Sequence, residues 1–95
     1  MINIKGNALI TFTAAAGETY CIQYDSNYSV NIANLTDGDI YVSSDETFNE
    51  MDGAGNYLAI LSGGGYNGYN HIHMYKNKLF IKTDEAGKVC VVIRR

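Results

Sequence analysis

His71 and His73 lie two residues apart in an alternating run, His71-Ile72-His73-Met74-Tyr75. On a strand that spacing turns both imidazoles to one side. Two imidazoles on one side are half of a zinc site, and Cys21 and Cys90 would complete a Cys2His2 set. The spacing matches none of the ligand patterns that zinc proteins use. Each cysteine also falls in an apolar strand context, where a thiol packs as a small hydrophobe. The reading is therefore two reduced, structural thiols in core positions and no metal. The acids Asp37, Asp39, Asp45, Glu46, Glu50 and Asp52 offer oxygen ligands for calcium. Asp52-Gly53-Ala54-Gly55-Asn56 is a fragment of such a loop, without the spacing that closes one. Gly63-Gly64-Gly65 has the composition of a phosphate cradle but lacks the Gly-Lys-Ser/Thr that completes it. No Gly-x-Ser-x-Gly elbow occurs, and Ser62 has no evident base. These residues point away from an enzyme and away from any cofactor.

The run Tyr66-Asn67-Gly68-Tyr69-Asn70 has a different character. Tyr with Asn and Gly combines rigid aromatic area with adaptable polar contacts, the composition of binding loops. It suits a protein surface or the face of a sugar ring. The alternative is a pair of tyrosines folded back to cap the end of the domain. Residues 44–56 form the longest loop, acidic and Gly-containing, with Phe48 and Met51 as its expected anchors. A loop of that length in a small domain carries function or a short helical turn. Tyr66, Asn67, Tyr69, Asn70, Phe48 and Met51 are thus the candidate protein-interface residues.

Charge limits the partner. The net charge is −3, yet no Lys or Arg occurs between Lys5 and Lys76. Residues 76–95 carry six bases against Asp84 and Glu85, a net of +4. The Tyr-rich loop lies in the part without cations, so nothing there meets phosphate, and nucleic acid is disfavoured. No run approaches the ~18 apolar residues of a spanning helix, so no membrane partner is expected. The start, Met1-Ile2-Asn3-Ile4-Lys5-Gly6, has no apolar signal-peptide core, which implies a protein made in the cytoplasm that stays soluble there or leaves only by cell lysis.

The elements that position these groups read as strands. Eight Tyr, three Phe and many Ile, Val and Thr favour strand, and Pro is absent. No window holds helical periodicity over three turns. Residues 1–6 read as a short first strand or arm. Ala8, Ile10, Phe12 and Ala14 alternate with Leu9, Thr11 and Thr13, a half-buried strand. Tyr20, Ile22 and Tyr24 share a face of the next strand. Two hairpins follow from turn chemistry. Asp37-Gly38 suits a type I′ turn joining 28–36 to 39–43, with Leu35 opposite Ile40. Gly87 suits the left-handed position of a three-residue loop, which sets Thr83 opposite Val89, Ile81 opposite Val91 and Leu79 opposite Ile93. Residues 57–61 read as a buried strand, 62–70 as a loop and 71–75 as a short strand. The 95 residues are thus expected to form a single domain, all-β. Its expected form is a small β-sandwich, jelly-roll or Ig-like, of seven to eight short, mainly antiparallel strands.

The runs 34–43 (ending Ile40-Tyr41-Val42-Ser43), 56–67, Leu79-Phe80-Ile81-Lys82-Thr83 and Gly87-Lys88-Val89-Cys90-Val91 resemble small accessory virion proteins of tailed bacteriophages. These include head-fibre and head-decoration proteins. The likeness covers residues 30–93 and lies in strand and turn grammar. It implies a non-enzymatic structural protein that binds a capsid or tail subunit, and itself as a homo-oligomer. It also implies assembly in the host cytoplasm and residence on the virion. Other roles that suit an acidic chain of this size are an inhibitor or sponge of a host defence protein and a carbohydrate-binding sandwich.

Overall fold

The computed structural model describes residues 2–25, 28–53, 55, 57–67 and 78–95, with residues 65–67 described by their backbone alone. Among them there is no helix. The strands are β1 (Ile2–Asn3), β2 (Ala8–Ala14), β3 (Thr19–Gln23), β4 (Ser29–Thr36), β5 (Ile40–Ser43), β6 (Leu58–Ile60), β7 (Gly65–Asn67), β8 (Lys78–Thr83) and β9 (Gly87–Arg94). They form two sheets, ordered β1-β3-β8-β5-β6 and β2-β9-β4-β7. The all-β expectation holds, and pairing is antiparallel except where β1 lies parallel to β3.

The pairing has a simple order. β2 pairs with β9, β3 with β8, β4 with β7 and β5 with β6. The eight strands β2–β9 are therefore one long nested hairpin whose tip is the connection 44–57. Side-by-side pairing of β4 with β9 and of β5 with β8 rolls that hairpin into two sheets. From β1 to β9, consecutive strands lie in different sheets at every step except β5 to β6.

Period-two patterning drives this arrangement. A strand between two neighbours, with one face on a core, buries alternate side chains. In β9 Val89, Val91 and Ile93 point inward, and in β8 Leu79, Ile81 and Thr83 do. They meet Ile22, Ile40, Val42 and Ile60 of one sheet and Ala14, Val30 and Ile32 of the other in a single apolar core. β2 alternates as its sequence predicts, with Ala8, Ile10 and Phe12 half-buried between exposed neighbours.

Both expected hairpins are corrected. β8 and β9 do not pair; each lies inside a different sheet, and the two face one another across the core. β4 and β5 are likewise in different sheets. Leu35 pairs with Lys88 rather than facing Ile40, and it is exposed. Inward alternation is the same for a strand that pairs with its sequence neighbour and for one that crosses to the opposite sheet, so the pattern did not distinguish them. Neither glycine takes the left-handed conformation; the positive-φ glycines are Gly6, Gly17, Gly53, Gly55 and Gly63. Gly87 is small for another reason: a Cβ there would stand 2.8 Å from the Cα of Thr36. Residues 65–67, read as loop, form the edge strand β7 against β4. β6 is half-buried at a sheet edge rather than fully buried, and Leu61 beyond it is exposed. The strand expected at 71–75 lies outside the described residues.

Buried Asn34 ties two of the crossings together. Its Nδ2 donates to Gly38 O at 2.8 Å and to Ile60 O at 2.9 Å, while its Oδ1 accepts from Thr36 N and from the Thr36 hydroxyl. Its backbone accepts from Gly63 N and donates to Gly64 O. One side chain thus fastens the β4–β5 and β6–β7 connections at the same end of the molecule.

Candidate interaction surface

The tip loop of the nested hairpin folds back over the outward face of β5 and β8. Its first turn is built by Asp45. The Asp45 carboxylate accepts from Thr47 N at 2.9 Å and from the Thr47 hydroxyl at 2.7 Å. Short polar side chains stabilise such turns by bonding the backbone two residues on. Those two bonds hold the Asp45 carboxyl below its ordinary range. The loop then buries Phe48, and Gly55 closes over it with φ +86, where a Cβ would lie 2.8 Å from Phe48 Cα. Only glycine fits both the backbone angle and the space.

Behind Phe48 stands an aromatic group. Phe48 and Tyr57 rings are 5.9 Å apart, and Tyr57 meets Tyr41 edge-on at 5.9 Å. Tyr41 lies opposite Lys82 in the sheet and donates its hydroxyl to Asp84 at 2.9 Å. That hydrogen bond, with burial and the charges of Asp84, Asp39 and Glu50, pushes the Tyr41 phenol up to about 12.

An ion pair completes the fastening. Glu50 reaches from the loop to Lys82 with Oε1 2.8 Å from Nζ, and its side chain is 5 % exposed. Burial pushes the Glu50 carboxyl upward. The hydrogen bond from Lys82, one from its own backbone and the Lys82 charge more than offset this, and the net shift is downward. Oε2 is buried and has no hydrogen-bond partner among the described residues. The next residue, Met51, is 83 % exposed. Met51 therefore does not anchor the loop as the sequence suggested; Phe48 and Glu50 do, and Met51 is what the loop presents.

Of the other candidates, Tyr66 and Asn67 have their backbone in β7, opposite Ile32 and Asn31. Their side chains, and all of Tyr69, Asn70, His71 and His73, lie outside the described residues. The two thiols are free and sit on outward positions of different sheets, Cys21 beside Phe80 and Cys90 between Thr11 and Ala33. They are half-buried and do not occupy the core. Among the described residues no group of three or more His, Cys, Asp or Glu is placed to hold a metal. No described helix is long and apolar enough to cross a membrane.

Sequence reasoning named Glu50 only as an oxygen ligand for calcium, not as the partner of Lys82, and missed Tyr41, Tyr57, Lys82 and Asp84 as site residues. One signal was available: β5 and β8 put Tyr41, Phe80 and Lys82 at outward positions, where large side chains imply a cover. No protein-family model, curated protein or solved structure matches this chain.

Proposed function

We propose that this protein is a non-enzymatic binding module that attaches to another protein through its tip loop, and that it does so as an accessory protein on the particle of a tailed phage. The observation that carries the binding reading is the pairing of a fastened loop with an exposed tip. Phe48, Glu50 and Gly55 fix residues 45–53 and 55 before any partner arrives, and Met51 stands 83 % exposed beyond them. A loop ordered in advance loses little entropy on binding. Met is among the side chains enriched where interfaces are driest. Asp52 next to it in the chain and Glu46 in the same loop are exposed, which suits a partner with a basic rim around an apolar pocket.

The virion setting rests on the sequence resemblance, and the strand order is consistent with it. Eight strands nested as β2·β9, β3·β8, β4·β7 and β5·β6 follow the winding of a jelly roll, a sandwich that viral capsid domains share with lectins and cupins. Fold alone does not assign function. In this reading the protein assembles in the host cytoplasm and then resides on the particle.

Quantitative mass spectrometry of purified particles tests the setting, with copies in fixed ratio to a capsid or tail subunit as the expected result. Met51→Asp tests the surface: the variant should fold normally and lose at least tenfold in occupancy, about what one well-packed anchor contributes. Particles without the protein would refute the setting. Full occupancy of Met51→Asp would move the interface away from the tip loop.

A further inference from the structure

β2 is one of the two edge strands of its sheet, with β7 at the other end. It pairs with β9 over all seven residues, Ala8–Ala14, and no described residue pairs with its other side. Edge strands in soluble proteins are ordinarily blunted by Lys, Pro, a bulge or shortness, because a free row of N–H and C=O groups recruits another strand. β2 has none of these. Its sequence, Ala-Leu-Ile-Thr-Phe-Thr-Ala, carries no charge and no proline, and its register against β9 runs without interruption.

The side chains at that edge are also incompletely covered. Core residues on the inner strands, such as Ile22, Val89, Val91 and Ile93, are fully buried, while Ile10, Phe12 and Tyr20 are half-buried at the open side. Phe12 and Tyr20 lie with rings 5.2 Å apart there. On the outward face Leu9 is 71 % exposed.

We propose that the free edge of β2 pairs with β2 of a second copy of this chain, antiparallel, about a two-fold axis through Thr11. Half-buried Ile10 and Phe12 stand on either side of Thr11, with exposed residues at 9, 11 and 13, and that symmetry of pattern about Thr11 suits a second copy of the same strand. With Thr11 opposite Thr11 of the other copy, Ile10 stands opposite Phe12 and Leu9 opposite Thr13; Ala14 has no exposed surface, so the contact ends at residues 9 and 13. Every inward residue then faces an inward residue and every outward one an outward one, as a pleated sheet requires. Ile beside Phe and Thr beside Thr are favourable cross-strand pairs. A two-fold contact of one patch with itself closes at two copies and leaves no growing end. Both four-stranded sheets join into one of eight strands, with roughly four to six new main-chain hydrogen bonds, and the half-buried Ile10 and Phe12 of each copy are covered. A contact made of one strand pair is small, so the dimer should dissociate on the order of micromolar concentrations. This inference is separate from the tip-loop reading: β2 lies in one sheet, and the tip loop connects β5 and β6 of the other.

Sedimentation velocity over a dilution series is the test. The expected result is a species of twice 10.4 kDa that dissociates on dilution. Thr11→Lys places two ammonium groups opposite each other at the axis and should raise the dissociation constant at least tenfold. It should melt like the wild type at dilutions where both are monomeric, since Thr11 is exposed. Leu9→Lys with Thr13→Glu puts opposite charges across the axis and should retain the dimer, while Leu9→Glu with Thr13→Glu should abolish it. That second comparison holds even if Thr11→Lys folds poorly. A monomer at every concentration up to about 1 mM overturns the proposal. So does a dimer indifferent to Thr11→Lys or one that responds equally to the two double changes.

Discussion

Replacing Asn34 with Leu should cost this protein about 3 kcal/mol, a large share of what a small domain has. Asn34 has no exposed surface and neither has most of Thr36, so solvent cannot replace what is lost. Leu keeps roughly the volume and removes all four side-chain hydrogen bonds. The Thr36 N–H loses its acceptor, Asn34 Oδ1, at 2.9 Å. A stranded buried donor costs about 1–3 kcal/mol. The bonds to Gly38 O and Ile60 O go as well, at about 1 kcal/mol each. Part of this is recovered: the Thr36 hydroxyl, no longer drawn to Oδ1, is free to donate to Gly38 O, already 2.9 Å away. Urea unfolding followed by far-ultraviolet circular dichroism measures the difference. With a slope of about 1–1.5 kcal/mol per molar, the midpoint should fall by about 2–3 M. Asn34→Asp sharpens the test. A carboxylate there would face the carbonyls of Gly38 and Ile60, so the native state should favour its protonated form and raise its pKa. Stability of that variant should therefore be best below the unfolded-state value, about pH 4, and decline as pH rises from there through the raised folded-state value. A loss below about 1 kcal/mol for Asn34→Leu, or an Asn34→Asp variant more stable at neutral pH than in acid, would refute the assigned network.

The tip loop should loosen in acid. Glu50 and Asp45 are held below ordinary values of 4.5 and 3.8, so each stabilises the folded loop above those values and ceases to as pH falls through its lowered pKa. Amide exchange over residues 45–53 should rise below about pH 4, and Glu50→Gln should flatten that response; exchange independent of pH-driven opening in the wild type would exclude the ion pair as a fastener. Gly87→Ala should cost about 1–3 kcal/mol by overpacking against Thr36, read from thermal melts, and a neutral result would show that the strands separate freely there. Cys21→Ala and Cys90→Ala should each cost under about 1 kcal/mol, since the thiols are half-buried on outward faces. The unreduced protein should show the mass of two free thiols; a mass two units lower would require the sheets to rearrange. Val91→Asp should unfold the chain, because an unpaired charge at a fully buried position costs several kcal/mol.

The sequence was legible strand by strand. In β2, β3 and β9 the alternation of apolar residues named the inward set correctly, because one buried face is all that period two requires. It was illegible between strands. Asp37-Gly38 and Glu85-Ala86-Gly87 are good turn sequences, and a turn that returns along the same sheet uses the same residues as one that steps to the opposite sheet. Two features did carry the difference. Leu35 and Val92 are apolar at outward positions, which a hairpin pair in a one-sided sheet would leave unexplained. Asn34 sits at an inward-directed position among apolar neighbours, which a simple strand would not tolerate without partners. Its partners are 4 and 26 residues away, and only the crossing geometry supplies them.

The candidate surface shows the same division. Asp45-Glu46-Thr47 announced a turn by its chemistry, and Phe48 announced an anchor by its size. Which long side chain turned inward was not readable. Glu50 and Met51 are neighbours, and solubility argues for the Glu outside and the Met inside. The structure has them reversed, since Lys82 stands on the outward face of β8 at the point where Glu50 arrives. That cation is 32 positions along the chain, and its placement depends on β8 lying between β3 and β5. A buried charge is stable where its counter-charge is already fixed by a sheet. The nested pairing of distant strands therefore decides which residue of the tip loop is left at the surface, and it leaves Met51 there.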